Sequence, residues 1–284
     1  MSAFTEYLIT GVARGLVFAL LATGFVLIYR VTRVVNFAQG AFAVFGGLLT
    51  FSLLRAGIPH GVSEVLAALA VAVIGLIFGV ITIAGKIPLL SSLIITIGLA
   101  MLSEAVAMLV WGSIPISYSG LAGHDFVILG AVVQRQYLLV LVVSLVLFGS
   151  MALLFGRTYF GKAMTACASN AYAAKLSGIN VKRMGLLAFI LGGALGGIGG
   201  ALLTPVEPMT YNADVSLSIL GFAAAIVGGL TSPGLAVAGG LVFGLTEQFV
   251  SGYWSPSYDT AVALALLIVV LLWQARRMRL EGLE

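Results

Sequence analysis

GRTYFGKAMTACASNAYAAKLSGINVKRM (156–184) is the only long polar interval in a chain of 284 residues that is otherwise almost continuously apolar. It carries five of the fourteen basic residues: Arg157, Lys162, Lys175, Lys182 and Arg183. Outside it, the sequence has little to show water. The chain is 61% hydrophobic and 8% charged, with mean hydropathy +1.17, whereas a soluble domain carries about 25% charged residues. Such a chain must face lipid or its own spans over most of its surface. The expected fold is all-α: one polytopic transmembrane helical bundle over 1–284, with 156–184 as its long polar loop.

Apolar runs near 8–29, 34–54, 62–84, 89–111, 136–155, 185–205, 216–230, 234–251 and 258–275 are each about long enough to cross a bilayer. The first begins at about Tyr7, with no basic n-region or small-residue cleavage site before it, so it is expected to remain as a span. Eleven of the fourteen basic residues fall on one set of loops: Arg30, Arg33, Lys86, the five of 156–184, and Arg276, Arg277 and Arg279. The opposite loops hold Arg55 and Arg135, and Arg14 lies in or beside the first run. This bias places 156–184 and the C-terminus in the cytoplasm. Nine spans with the N-terminus outside fit that parity. Eight fit if 30–47 is broken or re-entrant. The net charge of +4 belongs to these span ends and is no nucleic-acid signal. The single Cys167 excludes an intrachain disulfide.

Two stretches depart from plain spans. VTRVVNFAQGAFAVFGG (31–47) holds Asn36, Gln39 and Gly40 where Leu is expected. In NADVSLSILGFAAAIVGGLTSPGLA (212–236), Thr231-Ser232-Pro233-Gly234 interrupts the run. The two share a loose pattern, Gly40 to Gly47 and Gly221 to Gly229. Non-helical backbone at membrane depth survives only inside protein or along a cavity, and paired interrupted segments can mark a transport pathway. Asn36, Gln39, Glu104, Glu247, Gln248 and Arg14 are costly in hydrocarbon and should face the bundle interior or water. Asn36 and Gln39 are the pathway candidates; bridging between helices is the alternative. Glu104, toward a span end, reads as interfacial. The long outer loop 112–134, with Pro115, His124 and Asp125, is a candidate contact surface for an external partner.

Gly156-x4-Gly161-Lys162 is followed by Ala163, not the Ser or Thr of a phosphate-binding loop, and it follows a membrane span rather than a buried strand. The chain is therefore expected to bind no nucleotide or other cofactor and to hydrolyse no ATP itself. Neither a metal-ligating cluster nor a Ser-His-Asp set is present. Gly192, Gly196 and Gly200 are four apart, as are Gly193 and Gly197, a spacing that lets helix backbones approach closely in lipid. Residues 165–180, rich in Ala and ending at Gly178, read as a short helix with a glycine C-cap.

GLVFALLATGFVLIYRVTRVVNFAQGAF (15–42), GKAMTACASNAYAAKLSGINVKRM (161–184), LGGALGGIGGALLTP (191–205) and AIVGGLTSPGLAVAGGLVFGLTE (225–247) resemble the permeases of branched-chain amino acid ABC importers, the LivH-type subunit above all. The likeness runs in order over most of the chain. It implies an ABC importer permease architecture in a bacterial inner membrane. It implies that 161–184 carries a coupling helix that docks on an ATP-binding subunit, with Ala173, Ala174 and Gly178 in its EAA-like part and Ala171 and Leu176 on the same helix. It implies as partners a second homologous permease, two cytoplasmic ATPases that bind the ATP, and a periplasmic or extracellular solute-binding protein. The family commonly has His-Gly-Glu after Asn-Phe-Ala, where this chain has Gln39, Gly40 and Ala41. It often ends in an Arg-Pro-x-Gly-like tail, where this chain ends WQARRMRLEGLE. The solutes implied are branched-chain amino acids, urea, short amides or related small polar molecules. A secondary transporter or channel is the competing reading. It would need membrane carboxylates arranged for ion coupling and no docking helix.

Overall fold

The computed structural model describes residues 2–83, 88–120, 126–128, 131–230, 232–255, 258, 261–262 and 264–272. Its elements are α1 (Ser2–Thr32), α2 (Gln39–Arg55), α3 (Val62–Ile83), α4 (Leu89–Trp111), β1 (Phe126–Ile128), β2 (Ala131–Val133), α5 (Arg135–Arg157), α6 (Tyr159–Ser169), α7 (Ala171–Leu176), α8 (Val181–Leu203), α9 (Ala213–Val227) and α10 (Pro233–Tyr253). Residues 264–272 are also helical. Six of these helices, α1, α3, α4, α5, α8 and α10, are long and apolar enough to cross a membrane. The apolar helices α2 and α9 are shorter. The chain is thus a multi-pass helical membrane protein, and its two shorter apolar helices fall on the two segments that the sequence marks as interrupted.

The bundle is built around α1, whose apolar stretch is 89% buried. α10 lies antiparallel to it. A Cβ on Gly15 would press on the backbone of Gly240 and Leu241, one on Gly11 would meet Leu245, and Tyr7 packs at Gly252. α8 is the second axis. Gly193 and Gly197 lie against Val71, Ala72 and Ala68 of α3, and Gly200 lies against the backbone of Ala43 in α2. Where lipid supplies no hydrophobic drive between helices, such contacts stand in for it through close backbone packing.

Capping punctuates the chain. Thr158, Asn170, Asn180 and Ser232 accept hydrogen bonds from the amides of Gly161, Ala173, Arg183 and Leu235, opening α6, α7, α8 and α10. Pro233 occupies the first turn of α10, where no amide is required. The single short helix expected over 165–180 is instead two. Asn170 adopts an extended conformation (φ −153°, ψ 101°) that ends α6 while its side chain starts α7. Gly178, at φ +82°, closes α7. There the Ile179 amide bonds to the Ala174 carbonyl and the Gly178 amide to that of Lys175.

The all-α expectation needs one addition, the antiparallel hairpin β1–β2, in which Phe126 pairs with Val133. It belongs to the 112–134 loop, of which His124 and Asp125 lie outside the described residues. The earlier part of that loop covers the end of α8. Ile116 pairs with Met209, the Tyr118 hydroxyl donates to the Ala201 carbonyl at 2.6 Å, and the Ser117 hydroxyl donates to that of Thr204 at 3.2 Å; Gln136 of α5 adds a bond to the Leu202 carbonyl at 3.0 Å. The last carbonyls of a helix lack partners of their own, so this loop completes α8. Burial and the charge of Glu64 hold the Tyr118 phenol above its ordinary pKa, which keeps it a donor.

Candidate functional site

Between α1 and α2 the backbone leaves the helix at Arg33, a non-glycine residue at φ 60°, and resumes at Gln39. Gln39 lies against Gly24, eight residues before the end of α1 and so about 12 Å along its axis. The α2 end of the break therefore lies well within the length of α1, away from its exposed start at Arg33, and its polar groups need partners in the protein. Most have them. Thr96 of α4 accepts from the Phe37 amide and donates to the Val35 carbonyl. Ser218 of α9 donates to the Phe37 carbonyl at 2.8 Å and accepts from the Gly40 amide at 2.9 Å. The Asn36 side-chain oxygen accepts from the Ala38 amide. Two other elements, α4 and α9, thus hold one broken segment.

Both sequence-predicted pathway residues are fully buried, at 0% exposure. Gln39 occupies a niche between α1 and α8 that glycine makes possible: a Cβ on Gly24 would collide with its amide and one on Gly196 would crowd it. Its Nε2 donates to the Gly192 carbonyl at 2.9 Å. The α8 glycines, read from sequence as packing residues, therefore divide into two sets. Gly193, Gly197 and Gly200 receive α3 and α2, while Gly192 lies against Ile28 of α1 and Gly196 against Phe42 of α2, both beside the Gln39 amide. Two amide atoms, Asn36 Nδ2 and Gln39 Oε1, are buried without a hydrogen-bond partner, a costly state for a polar group.

Beside α2 lies a crevice lined by Ser103 and Glu104 of α4, Tyr211, and Asp214 in the first turn of α9. Asp214 is 2% exposed and its Oδ1 has no partner. The sequence places Asp214 in an apolar run beside the interrupted segment, and that position is the signal by which it is found. A cavity of about 480 Å³ near the start of α1 is lined by Leu8, Val12, Leu138 and similar residues and offers little to a polar solute.

The residues expected to couple to an ATPase separate by exposure. Ala174 is 4% exposed and packs inward, whereas Ala171, Ala173 and Gly178 are exposed and Leu176 is 73% exposed. The sequence reading omits Tyr159, Phe160 and Tyr172, aromatic and all more than half exposed on the same two helices. Cys167 sits on the buried face of α6, and burial raises its thiol pKa, so it is a poor reporter of this surface. Arg14, expected at membrane depth, pairs with Glu207 at 3.0 Å.

Comparison with known proteins places these features. Residues 7–271 match the model of a family described as branched-chain amino acid transport system, permease component. The chain is 28% identical to the high-affinity branched-chain amino acid transport system permease protein LivH of Escherichia coli, over 95% of this chain and 93% of that one. It is 28% identical to the corresponding protein BraD of Pseudomonas aeruginosa, over 95% and 94%. Among solved structures, PsaBC from Streptococcus pneumoniae in complex with Fab aligns with a TM-score of 0.56 and 13% identity, over 95% of this chain and 91% of that one. That likeness is one of fold alone.

Proposed function

The chain belongs to the branched-chain amino acid permease family, and we propose that it is the membrane-spanning subunit of an ABC importer that translocates branched-chain amino acids or a closely related small polar solute. In this reading it binds no cofactor. ATP is bound and hydrolysed by two cytoplasmic partner subunits, a second homologous permease completes the pore, and an external binding protein delivers the solute. The chain sits in a bacterial inner membrane with α6, α7 and the C-terminus in the cytoplasm, as the charge bias supports. Counted with α2, α9 and the helix at 264–272, it crosses as eight or nine segments.

The observation that carries this reading is the α6–α7 pair. These two short helices, capped at both junctions, present Tyr172 and Leu176 to solvent beside the break that holds Asn36 and Gln39. Exposed aromatic and aliphatic side chains on a rigid, basic turn suit docking into a groove of a soluble partner. Asn36 and Gln39 then form the closed constriction of the route, since their unpartnered amide atoms can bond a polar solute once the niche opens. ATP-driven closure of the ATPase dimer would shift the population between inward- and outward-open states. The test is ATP-driven uptake of L-leucine into proteoliposomes holding the permease pair, the ATPases and the binding protein. ATP-dependent accumulation is expected, and passive equilibration of leucine independent of ATP would sink the reading.

A further inference from the structure

We propose that Glu104 and Asp214 form a transit site for the cationic ammonium group of the solute. The proposal rests on the permease reading above and adds to it the residues that receive that group.

The two carboxylates come from different elements, α4 and α9, and line one crevice against α2. Asp214, 98% buried by the fold, keeps Oδ1 without a hydrogen-bond partner, and the crevice it lines has no Lys or Arg in its wall. A carboxylate at that depth is expensive unless something neutralises it, and two sharing one crevice repel. Ionisable groups are retained within a membrane domain chiefly where they serve a route. An ammonium group answers both deficits, with one positive charge and three donors. The Ser103 hydroxyl, whose own proton goes to the Leu99 carbonyl, adds an acceptor on the same wall, and Tyr211 also lines the crevice. A divalent metal is a poorer match. Two carboxylates are fewer ligands than a hard cation takes, and among the described residues no group of three His, Cys, Asp or Glu converges.

The crevice has no room for a water molecule in this conformation, so occupancy requires α4 and α9 to part. The same first turns of α9 hold the break: Asp214 precedes by one helical turn Ser218, which bonds to Phe37 and Gly40. Opening the constriction at Gln39 and exposing Asp214 are in this way movements of one element.

The experiment compares wild type with Asp214→Asn, Glu104→Gln and Glu104→Asp in the complete reconstituted importer, with radiolabelled L-leucine as probe. Initial ATP-driven uptake and melting temperature are measured on the same preparations. The expected result is a loss of uptake of about ten-fold or more in the Asn and Gln variants. Their melting temperature should hold or rise, because like-charge repulsion is relieved, and Glu104→Asp should retain most of the uptake. Wild-type uptake rates in both neutral variants would overturn the site, as would a fall in melting temperature that accompanies the lost uptake. Absence of ATP-driven leucine uptake in the wild type would overturn the permease reading itself, and the inference with it.

Discussion

The Arg33 guanidinium donates to the Ala168 carbonyl at 3.0 Å, joining the first residue of the membrane break to the last turn of α6. Carbonyls at a helix C-terminus lack partners and carry partial negative charge, so an arginine there is favoured on both counts. Arg33 also stacks over Tyr29, 5.9 Å from the ring centroid, and adopts a left-handed conformation that glycine would adopt without strain. The contact ties α6 to the segment that carries Asn36 and Gln39.

Arg33→Gly should separate this linkage from stability. The substitution relieves backbone strain and removes one exposed hydrogen bond, so the melting temperature should change by no more than a few degrees. ATP hydrolysis should continue while leucine uptake per ATP falls several-fold. Unchanged coupling in the reconstituted importer would show that Arg33 is only a surface tie.

Ser218→Ala should be costly for one hydroxyl. It strands the Phe37 carbonyl and the Gly40 amide together, both at membrane depth. The expected loss is about 1–3 kcal/mol per stranded group, an upper figure if the break relaxes. Thermal unfolding of the purified complex reads this directly, and an unshifted melting temperature would mean that the break is held by other contacts.

Glycine substitutions should sort by helix contact and not by motif. Gly200→Ala drives a Cβ into the Ala43 carbonyl, and Gly46→Ala drives one into that of Gly197. Both should abolish assembly, as judged by size-exclusion chromatography. Gly98 and Gly149 have nothing within 4 Å of an added Cβ. There Ala should be tolerated and stabilise by up to about 1 kcal/mol, the difference in helix propensity.

Gln39→Leu should lower the uptake rate more than the apparent affinity for leucine. The change removes one hydrogen bond to Gly192 but also an unpartnered Oε1, so the two effects on stability oppose. A lowered melting temperature with normal turnover of the assembled protein would assign Gln39 to helix bridging alone.

Much of this was legible in the sequence, for identifiable reasons. Apolar length marks a span regardless of its neighbours, so the run near 62–84 predicts α3 and the run near 89–111 predicts α4 almost to the residue. Asn36 and Gln39 betrayed the break because amides are conspicuous among Val and Phe. The division of α6 from α7 was hidden, because an Ala-rich segment hides a break that a single Asn imposes by capping. The second use of Gly192 and Gly196 was hidden as well. Four-residue spacing says that something approaches closely, but not whether it is a helix backbone or a side chain. Arg33 looked like an ordinary span-end cation, since its partner lies 135 residues away. Asp214 lies within an interrupted run, yet that its Oδ1 has no partner is visible only in three dimensions.

The central claim is that α7 delivers the force of a soluble ATPase to this membrane domain. Site-directed crosslinking tests it most directly. Leu176 on α7 and Trp254, beyond the end of α10 that packs on the start of α1, are 73% and 76% exposed and lie toward opposite ends of the bundle. In a Cys167→Ser background, Leu176→Cys should form an adduct with the ATPase subunit whose yield changes on ATP binding, and Trp254→Cys should form none. An adduct from Trp254→Cys with none from Leu176→Cys would contradict both the docking surface and the orientation.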